Sequence, residues 1–511
     1  VTLGTRVRVE FHGRRVGGWV TAVGTSAPDG VTVRDIAKVS GLGPPPAVLE
    51  LAEWAAWRFA MPLATVLRAA SPERNVWSLP PAGPAREGRG DRPGISLRRI
   101  APAHDLLPLV LEVIEHASQG SVVVLAPETG WAERLTGRLR RRGIDVASSW
   151  AEAAAGWPVV VGSRTAAWAP VAKLAAAVVL DAHDYHDRYD ASIVLAERAG
   201  RENVACVLAS PCPTAVQVVA YGPPSVPERS LERSGWAATS IADRRGADPR
   251  TGLFSEELVQ LAHRVERLVC VLNRTGRARL LACAACGSLA RCEVCGRPVE
   301  LVGESLRCRG CGSERPAVCG DCGASRLKIL RQGVSRARDE LAALLGTSVG
   351  EVSASTDHLP TTRVLVGTEA VLHRVRHADA VCFLDFDQHL LAPRFSASEE
   401  ALALIARASR MVGGRRGTVL VQTRLADHDV LRAAVAGDPG LLTELDVRKD
   451  LRLPPFSALA TVRAEMVPGL NGVEVSPLAD GRWLVRAPDH RVLCDAVAVL
   501  RGGVRVDPDD V

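Results

Sequence analysis

The chain has 511 residues, 47% of them hydrophobic and 23% charged, with a formal net charge of +6. That length suits three or four domains with substantial cores. No apolar run reaches the length of a membrane-spanning helix, and residues 1–9 alternate polar and apolar rather than forming a signal peptide, so a cytoplasmic location is expected. Only four of the 63 basic residues are lysines (Lys38, Lys173, Lys328 and Lys449). Arginine suits bidentate phosphate contact, and it is equally what a GC-rich genome encodes.

Residues 1–75 read as a β-rich N-terminal domain. Arg6–Phe11 alternates, 12–15 turns, and 16–20 returns as a second strand. Arg6, Arg8, Arg14 and Arg15 fall off the apolar face. They form either a solvated hairpin face or a surface that meets DNA phosphates. Residues 46–70 read as helix, broken at Pro62. A Pro/Gly/Arg-rich linker covers 76–95.

From 96 to 220 short apolar strands alternate with helices, which implies a parallel sheet. Leu107–His116 and 131–142 read as helices; Ser121–Leu125, 159–161, 177–180 and 204–208 read as strands. Residues 221–250 read as a second linker. A second α/β segment starts within 221–282 and resumes over 325–445. Its elements are helix 255–267, strand 268–272, helix 336–345, strands 363–366 and 380–384, helix 397–411 and strand 417–422. The tail, 446–511, has a βαβ flavour.

The segment 283–324 carries eight cysteines as four Cys-x-x-Cys pairs. Each such turn aims two thiolates at one point, and two turns complete a tetrahedral zinc shell. The gap between Cys286 and Cys292 is too short for a hairpin. The twelve residues between Cys295 and Cys308 are enough for two short strands and a bend. This spacing places Cys292, Cys295, Cys308 and Cys311 on an inner zinc and Cys283, Cys286, Cys319 and Cys322 on an outer one. Glycines 287, 296, 310, 312, 320 and 323 suit positive-φ positions in the turns. A disulfide framework or redox dithiols are the competing readings, and the repeated spacing in a chain without a secretion signal favours metal. Two such sites lower the net charge to about +2. Arg291, Arg297, Arg307, Arg309, Arg315, Arg326, Lys328 and Arg331 make the segment a candidate basic surface.

Taken together, these stretches resemble the primosomal replication-restart (PriA) family over almost the whole chain. The resemblance rests on 272–276 leading into Cys283, the eight-cysteine pattern, Val364 to Glu369, Leu384-Asp385-Phe386-Asp387, and Arg448-Lys449 with Pro454-Pro455-Phe456. In the first α/β half it rests on 125–128 and 161–166. It implies an α/β multidomain fold with two RecA-like helicase lobes, the second bearing a two-zinc insertion. A small N-terminal β-rich domain and a C-terminal α+β domain flank them. Forked or single-strand/double-strand junction DNA, zinc, and primosome and helicase-loading proteins are the implied partners. By comparison with the family, the N-terminal domain starts part-way through and no winged-helix domain is expected.

The family's ATPase elements are missing. A phosphate loop ends in Gly-Lys-Ser/Thr, and no Gly-Lys occurs in the chain. Residues 100–105, Ile-Ala-Pro-Ala-His-Asp, stand in its place. The Asp-Glu-x-His box reads Asp181-Ala182-His183-Asp184. The arginine box survives only as Arg407 and Arg410, and the family's Lys-Gly-His is replaced by His373-Arg374-Val375. ATP and Mg²⁺ are therefore not expected as cofactors, and no catalytic residue is assigned. His183, His186 and the nearby aspartates are a metal site only if they converge; a solvated loop is the simpler reading. Three functions compete: a fork-binding restart protein without unwinding, an active 3′-to-5′ helicase, and a zinc scaffold with no DNA role.

Overall fold

The computed structural model describes the chain except residues 27–32, 85–87, 89, 91, 186–188, 247–251, 273–280, 295, 309–310, 330–333, 354, 357, 441–443, 468, 479, 501 and 509–511. It forms two compact units. The first comprises Val1–Arg98, Asp105–Ser225 and Arg452–Pro508; the second comprises Arg99–His104 and Val226–Leu451.

The first unit opens with a three-stranded antiparallel sheet: β1 (Arg6–Phe11), β2 (Arg14–Trp19) and β3 (Ile36–Gly41), in the order β2-β1-β3. The third strand adds to the expected hairpin. Helix 46–70 becomes two, α1 (Pro46–Arg58) and α2 (Leu63–Ala70). The break falls at Ala60, which takes a positive φ of 47° just before Pro62.

A five-stranded sheet follows, built from β4 (Gly94–Arg99), β5 (Ser121–Leu125), β6 (Val159–Gly162), β7 (Leu174–Leu180) and β8 (Ala205–Ser210), with β5 to β8 paired in parallel. Its order is β4-β8-β7-β5-β6. Helices α3 (Leu107–His116) and α4 (Thr129–Arg140) belong to this layer. β5 and β7 are buried along their whole length, as continuous apolar runs in a doubly covered sheet must be. β4 begins inside the stretch read as linker.

The second unit holds a six-stranded parallel sheet of β9 (Ala238–Asp243), β10 (Leu268–Val271), β16 (Val349–Val352), β17 (Val364–Gly367), β18 (Ala380–Phe383) and β19 (Thr418–Thr423), ordered β16-β17-β10-β18-β19-β9. Five small strands lie between β10 and β16. β11 (Leu281–Cys283) pairs β15 (Leu327–Ile329), and β12 (Val299–Val302), β13 (Ser305–Cys308) and β14 (Glu314–Pro316) form a separate antiparallel sheet. The reading of 221–250 as linker fails here. Arg229–Gly235 is helical, and β9 lies parallel to β19 along six residues. Ala-Thr-Ser-Ile-Ala-Asp carries little apolar contrast of its own. Its stabilising partner lies some 180 residues downstream, where a local pattern cannot show it.

The tail returns to the first unit as an antiparallel sheet, β20 (Ala458–Val462), β21 (Glu474–Pro477), β22 (Trp483–Ala487) and β23 (Val504–Val506), in the order β21-β22-β20-β23. The helix His490–Val497 lies between β22 and β23 in the chain. Arg58 of α1 ties the tail down: its Nη2 donates to Asp507 Oδ2 at 2.8 Å, and His490 Nε2 lies 2.6 Å from the other carboxylate oxygen.

Candidate metal centres and the family-motif positions

The four Cys-x-x-Cys turns share one backbone design. In each, the first cysteine's carbonyl accepts from the N–H four residues on: Gly287 to Cys283, Gly296 to Cys292, Gly312 to Cys308 and Gly323 to Cys319, at 2.8–3.0 Å. The same cysteine's N–H donates to the carbonyl five residues on, at Ser288, Arg297, Ser313 and Ala324. Closing so tight a loop needs left-handed backbone, and these four glycines have φ between 69° and 76°. Gly320 does not share that geometry, and Gly310 lies outside the described residues.

The turns converge two by two. Cys283, Cys286, Cys319 and Cys322 have their sulfurs all within 4.8 Å of one another, and so do Cys292, Cys308 and Cys311. Cys295, the fourth member expected in the inner group, lies outside the described residues. The sulfurs of Cys283 and Cys322 are 3.5 Å apart, those of Cys286 and Cys319 3.6 Å, and those of Cys292 and Cys311 3.4 Å. A disulfide would bring them to about 2.0 Å. Tetrahedral zinc with Zn–S bonds of about 2.3 Å sets neighbouring sulfurs about 3.8 Å apart. All described cysteines are free, so the donor set and spacing fit a metal and not a cross-link. The hairpin of β12 and β13 spans the gap inside the inner group, with Val299 opposite Cys308.

The arginines of this segment are less uniformly basic than their number suggests. Arg307 stands in register between Glu300 of β12 and Glu314 of β14. Arg315 donates to the Val318 carbonyl at 2.6 Å and lies 3.5 Å from Glu293. Arg291 and Arg326 are exposed, and Arg297 is half-buried. Arg309 and Arg331 lie outside the described residues.

At the N-terminus, Arg6 is occupied within its own domain, donating to the Pro72 carbonyl at 2.9 Å. Arg15 lies 4.0 Å from Glu10. Arg8 and Arg14 are exposed. Lys38 stands in register beside Arg8 on β3 and is exposed as well, a basic neighbour that the hairpin reading missed. Its only sequence signal was a lone lysine in a short apolar stretch.

In the segment 100–107, which the resemblance sets against the family's phosphate loop, three backbone N–H groups are committed within the fold. A cradle needs backbone N–H groups turned toward the ligand. Pro102 has none. The N–H of Ala103 donates to Gly235 O at 3.2 Å and that of His104 to Ala101 O at 3.0 Å. The N–H of Leu107, at the start of α3, donates to the Asp105 carboxylate at 3.1 Å. Both terminal nitrogens of Arg138 hold that carboxylate, at 2.7 and 2.5 Å. This hydrogen-bonded pairing keeps Asp105 below the usual carboxylate range. Asp105 is thus held in an ion pair with Arg138 rather than left as a free charge.

The Asp-Glu-x-His position is altered in depth too. Ala182 is 0% exposed and belongs to the same apolar cluster as Leu125, Ala167 and Leu195. Its carbonyl accepts from Gln217 Nε2 at 2.7 Å. Asp181 is buried, with a φ of 50°. The ring Nδ1 of His183 lies 2.9 Å from Ser210 Oγ. His186 lies outside the described residues, and among those described no group of three His, Cys, Asp or Glu donors converges there. Arg407 contacts the His373 ring, with 3.0 Å to Nε2, and Arg410 Nε donates to the Pro102 carbonyl at 2.7 Å.

The remaining motif residues act as staples. Asp387 is fully buried and accepts from Thr423 Oγ1 at 2.5 Å and from the Arg424 N–H at 2.9 Å, tying the ends of β18 and β19. Burial and the neighbouring Asp387 charge push Asp385 up to about 6. Arg448 is buried, donates to Phe395 O at 3.0 Å and lies 3.1 Å from Glu399.

Residues 1–72 match the PriA 3'DNA-binding domain (3'BD) family. Among curated proteins, the chain is 25% identical to replication restart protein PriA of Haemophilus influenzae over 70% of this chain and 56% of that one. It is 26% identical to that of Thermotoga maritima over 69% and 54%, and 25% identical to that of Bacillus subtilis over 60% and 43%. The chain thus spans about half the length of the curated relatives it matches. Among solved structures, Saccharomyces cerevisiae Dbp5 bound to RNA and ADP BeF3 is 13% identical, covering 80% of this chain and 97% of that one with a TM-score of 0.39. A likeness of that size carries no functional argument. No helix among the described residues is long and apolar enough to cross a membrane. Over 60–70% of its length, and in the domain at its start, the chain resembles replication restart protein PriA.

Proposed function

We propose that this protein binds forked DNA in replication restart without unwinding it by ATP hydrolysis. In this reading the two parallel sheets are RecA-like helicase lobes that have become a frame. The frame presents the N-terminal 3'DNA-binding domain and a two-zinc module to a fork and to proteins that reload the replicative helicase. The observation that carries it is the committed loop at 100–107 in a chain whose first 72 residues match a 3'DNA-binding domain. Phosphoryl transfer depends almost wholly on positioning and charge stabilisation. A chain with no Gly-Lys and with alanine at 182 lacks the two groups by which the family's motifs supply them.

The test is fork-DNA binding by the full chain with and without Mg-ATP, with ATPase measured in parallel. Fork affinity that is unchanged by ATP, with no DNA-stimulated turnover, is the expected result. Turnover that disappears when Asp181 or Arg410 is replaced would establish an active enzyme and overturn the reading. Absence of any DNA binding would leave a zinc scaffold instead.

A further inference from the structure

We infer that Arg99–His104 is a strap locked into the second unit as an internal occupant, ordered whether or not a nucleotide is present. The reading above proposes that ATP turnover is absent; this inference concerns the contacts that residues 99–104 themselves make.

Each part of the strap is held separately. Arg99 enters a buried ion pair: its Nε lies 2.8 Å from Glu232 Oε2, with 14% and 3% of the two side chains exposed. Glu232 is fixed from its other oxygen by Trp236 Nε1 at 3.0 Å. Arg99 also lies 3.7 Å from Asp438, which Arg229 holds at 2.6 Å. Further along, Ala101 and Pro102 are buried, and Arg410 Nε caps the Pro102 carbonyl. The Ala103 N–H then closes on Gly235 O.

The seat is cut to fit. A Cβ at Gly235 would come within 2.4 Å of the Ala101 Cβ. At Gly414, whose φ is +71°, a Cβ would meet Ser234 O at 2.4 Å and the Ala103 Cβ at 3.1 Å. Such distances require something to move, and here both neighbours are backbone or a methyl group with no freedom to turn aside. The strap thus occupies Arg410 and the last turn of Arg229–Gly235. A loop that must fold around an incoming phosphate is instead a fixed part of the fold, which makes it a lock that nucleotide cannot operate.

Hydrogen exchange on the full zinc-loaded chain tests this. The peptide containing Ala103 and His104 should exchange far more slowly than an unfolded segment, and Mg-ATP should leave its rate unchanged. Arg410→Ala should speed that exchange by about tenfold or more, because a charged donor is lost from a buried carbonyl. Arg410→Lys should restore part of the protection. Gly235→Ala should open the strap while zinc content and protection of β18 stay at the native level. Exchange at the unfolded rate in the native chain would overturn the inference, as would further protection by Mg-ATP. Unchanged exchange in both Arg410→Ala and Gly235→Ala would do the same. Fork binding, read separately, reports on the function proposed above and not on the strap.

Discussion

Metal stoichiometry in single-cysteine variants probes the zinc module most directly. The buried apolar side chains of the segment are few: Leu281, Val299 and Leu306 are the only large aliphatic ones among its fully buried, described residues. Each contributes about 1.5–3 kcal/mol when fully buried. So small an apolar set makes the module dependent on metal if the two cysteine groups bind zinc as proposed, because structural zinc supplies folding free energy directly. Native protein should carry two zinc ions by elemental analysis, and chelation should unfold the module while β5 and β7 stay protected. The sites are nested, and each has its own secondary support. Cys308→Ala should lose one zinc and free the β12–β13 hairpin. It should leave the outer site in place, because β11 pairs with β15 independently. Cys283→Ala should likewise leave one zinc, held by the inner group. Loss of both ions from either variant would refute the nesting. A native stoichiometry other than two would refute the pairing itself.

Three further outcomes follow from the same geometry. Arg8→Ala with Arg14→Ala should weaken fork binding and lower the slope of affinity against salt by about 2, whereas Arg6→Ala should act on stability through the lost Pro72 hydrogen bond, by about 1 kcal/mol, as seen in thermal denaturation. Burial raises Asp507, but the hydrogen bond from His490 and the charge of Arg58 together outweigh it and hold the carboxyl at about 2. A folded value below the unfolded one means the stabilisation is present above about pH 4 and is lost as pH falls toward 2; acid titration of native chain against Asp507→Asn should show about 1–2 kcal/mol present only in the native chain above that window. Ala182→Glu should destabilise by several kcal/mol, since the carboxylate enters a fully buried apolar cluster, and should give no ATP turnover; a stable, hydrolytically active variant would sink the account of this position.

Much of the fold was legible because its signals are local. The fully buried strands β5 and β7 and the helix Leu107–His116 announce themselves as apolar runs or stripes. The cysteine turns were legible for a different reason: spacing alone decides which thiolates can converge, and the hairpin-sized gap between Cys295 and Cys308 separates inner from outer. Elements that needed a distant partner were not legible. β9 is small and weakly apolar and exists because β19 lies beside it. β3 likewise depends on β1, and with it the placement of Lys38 next to Arg8. The arginines show the same limit. Counting them suggested a basic zinc surface, but cross-strand register sets Arg307 between two glutamates, and register is a property of the folded sheet.

Two kinds of missing residue should be kept apart. Absence of Gly-Lys by itself says nothing about the contacts around it. The surrounding contacts say more. Ala182 is packed into the core of the first sheet, Asp105 is clasped by Arg138, and Pro102 is capped by Arg410. The two hydrogen-bonded contacts satisfy a carboxylate and a carbonyl within the fold, and satisfying such groups stabilises it. Under the proposed function, the parallel sheets, whose cores are made by their own strands and helices, serve as a frame without nucleotide chemistry.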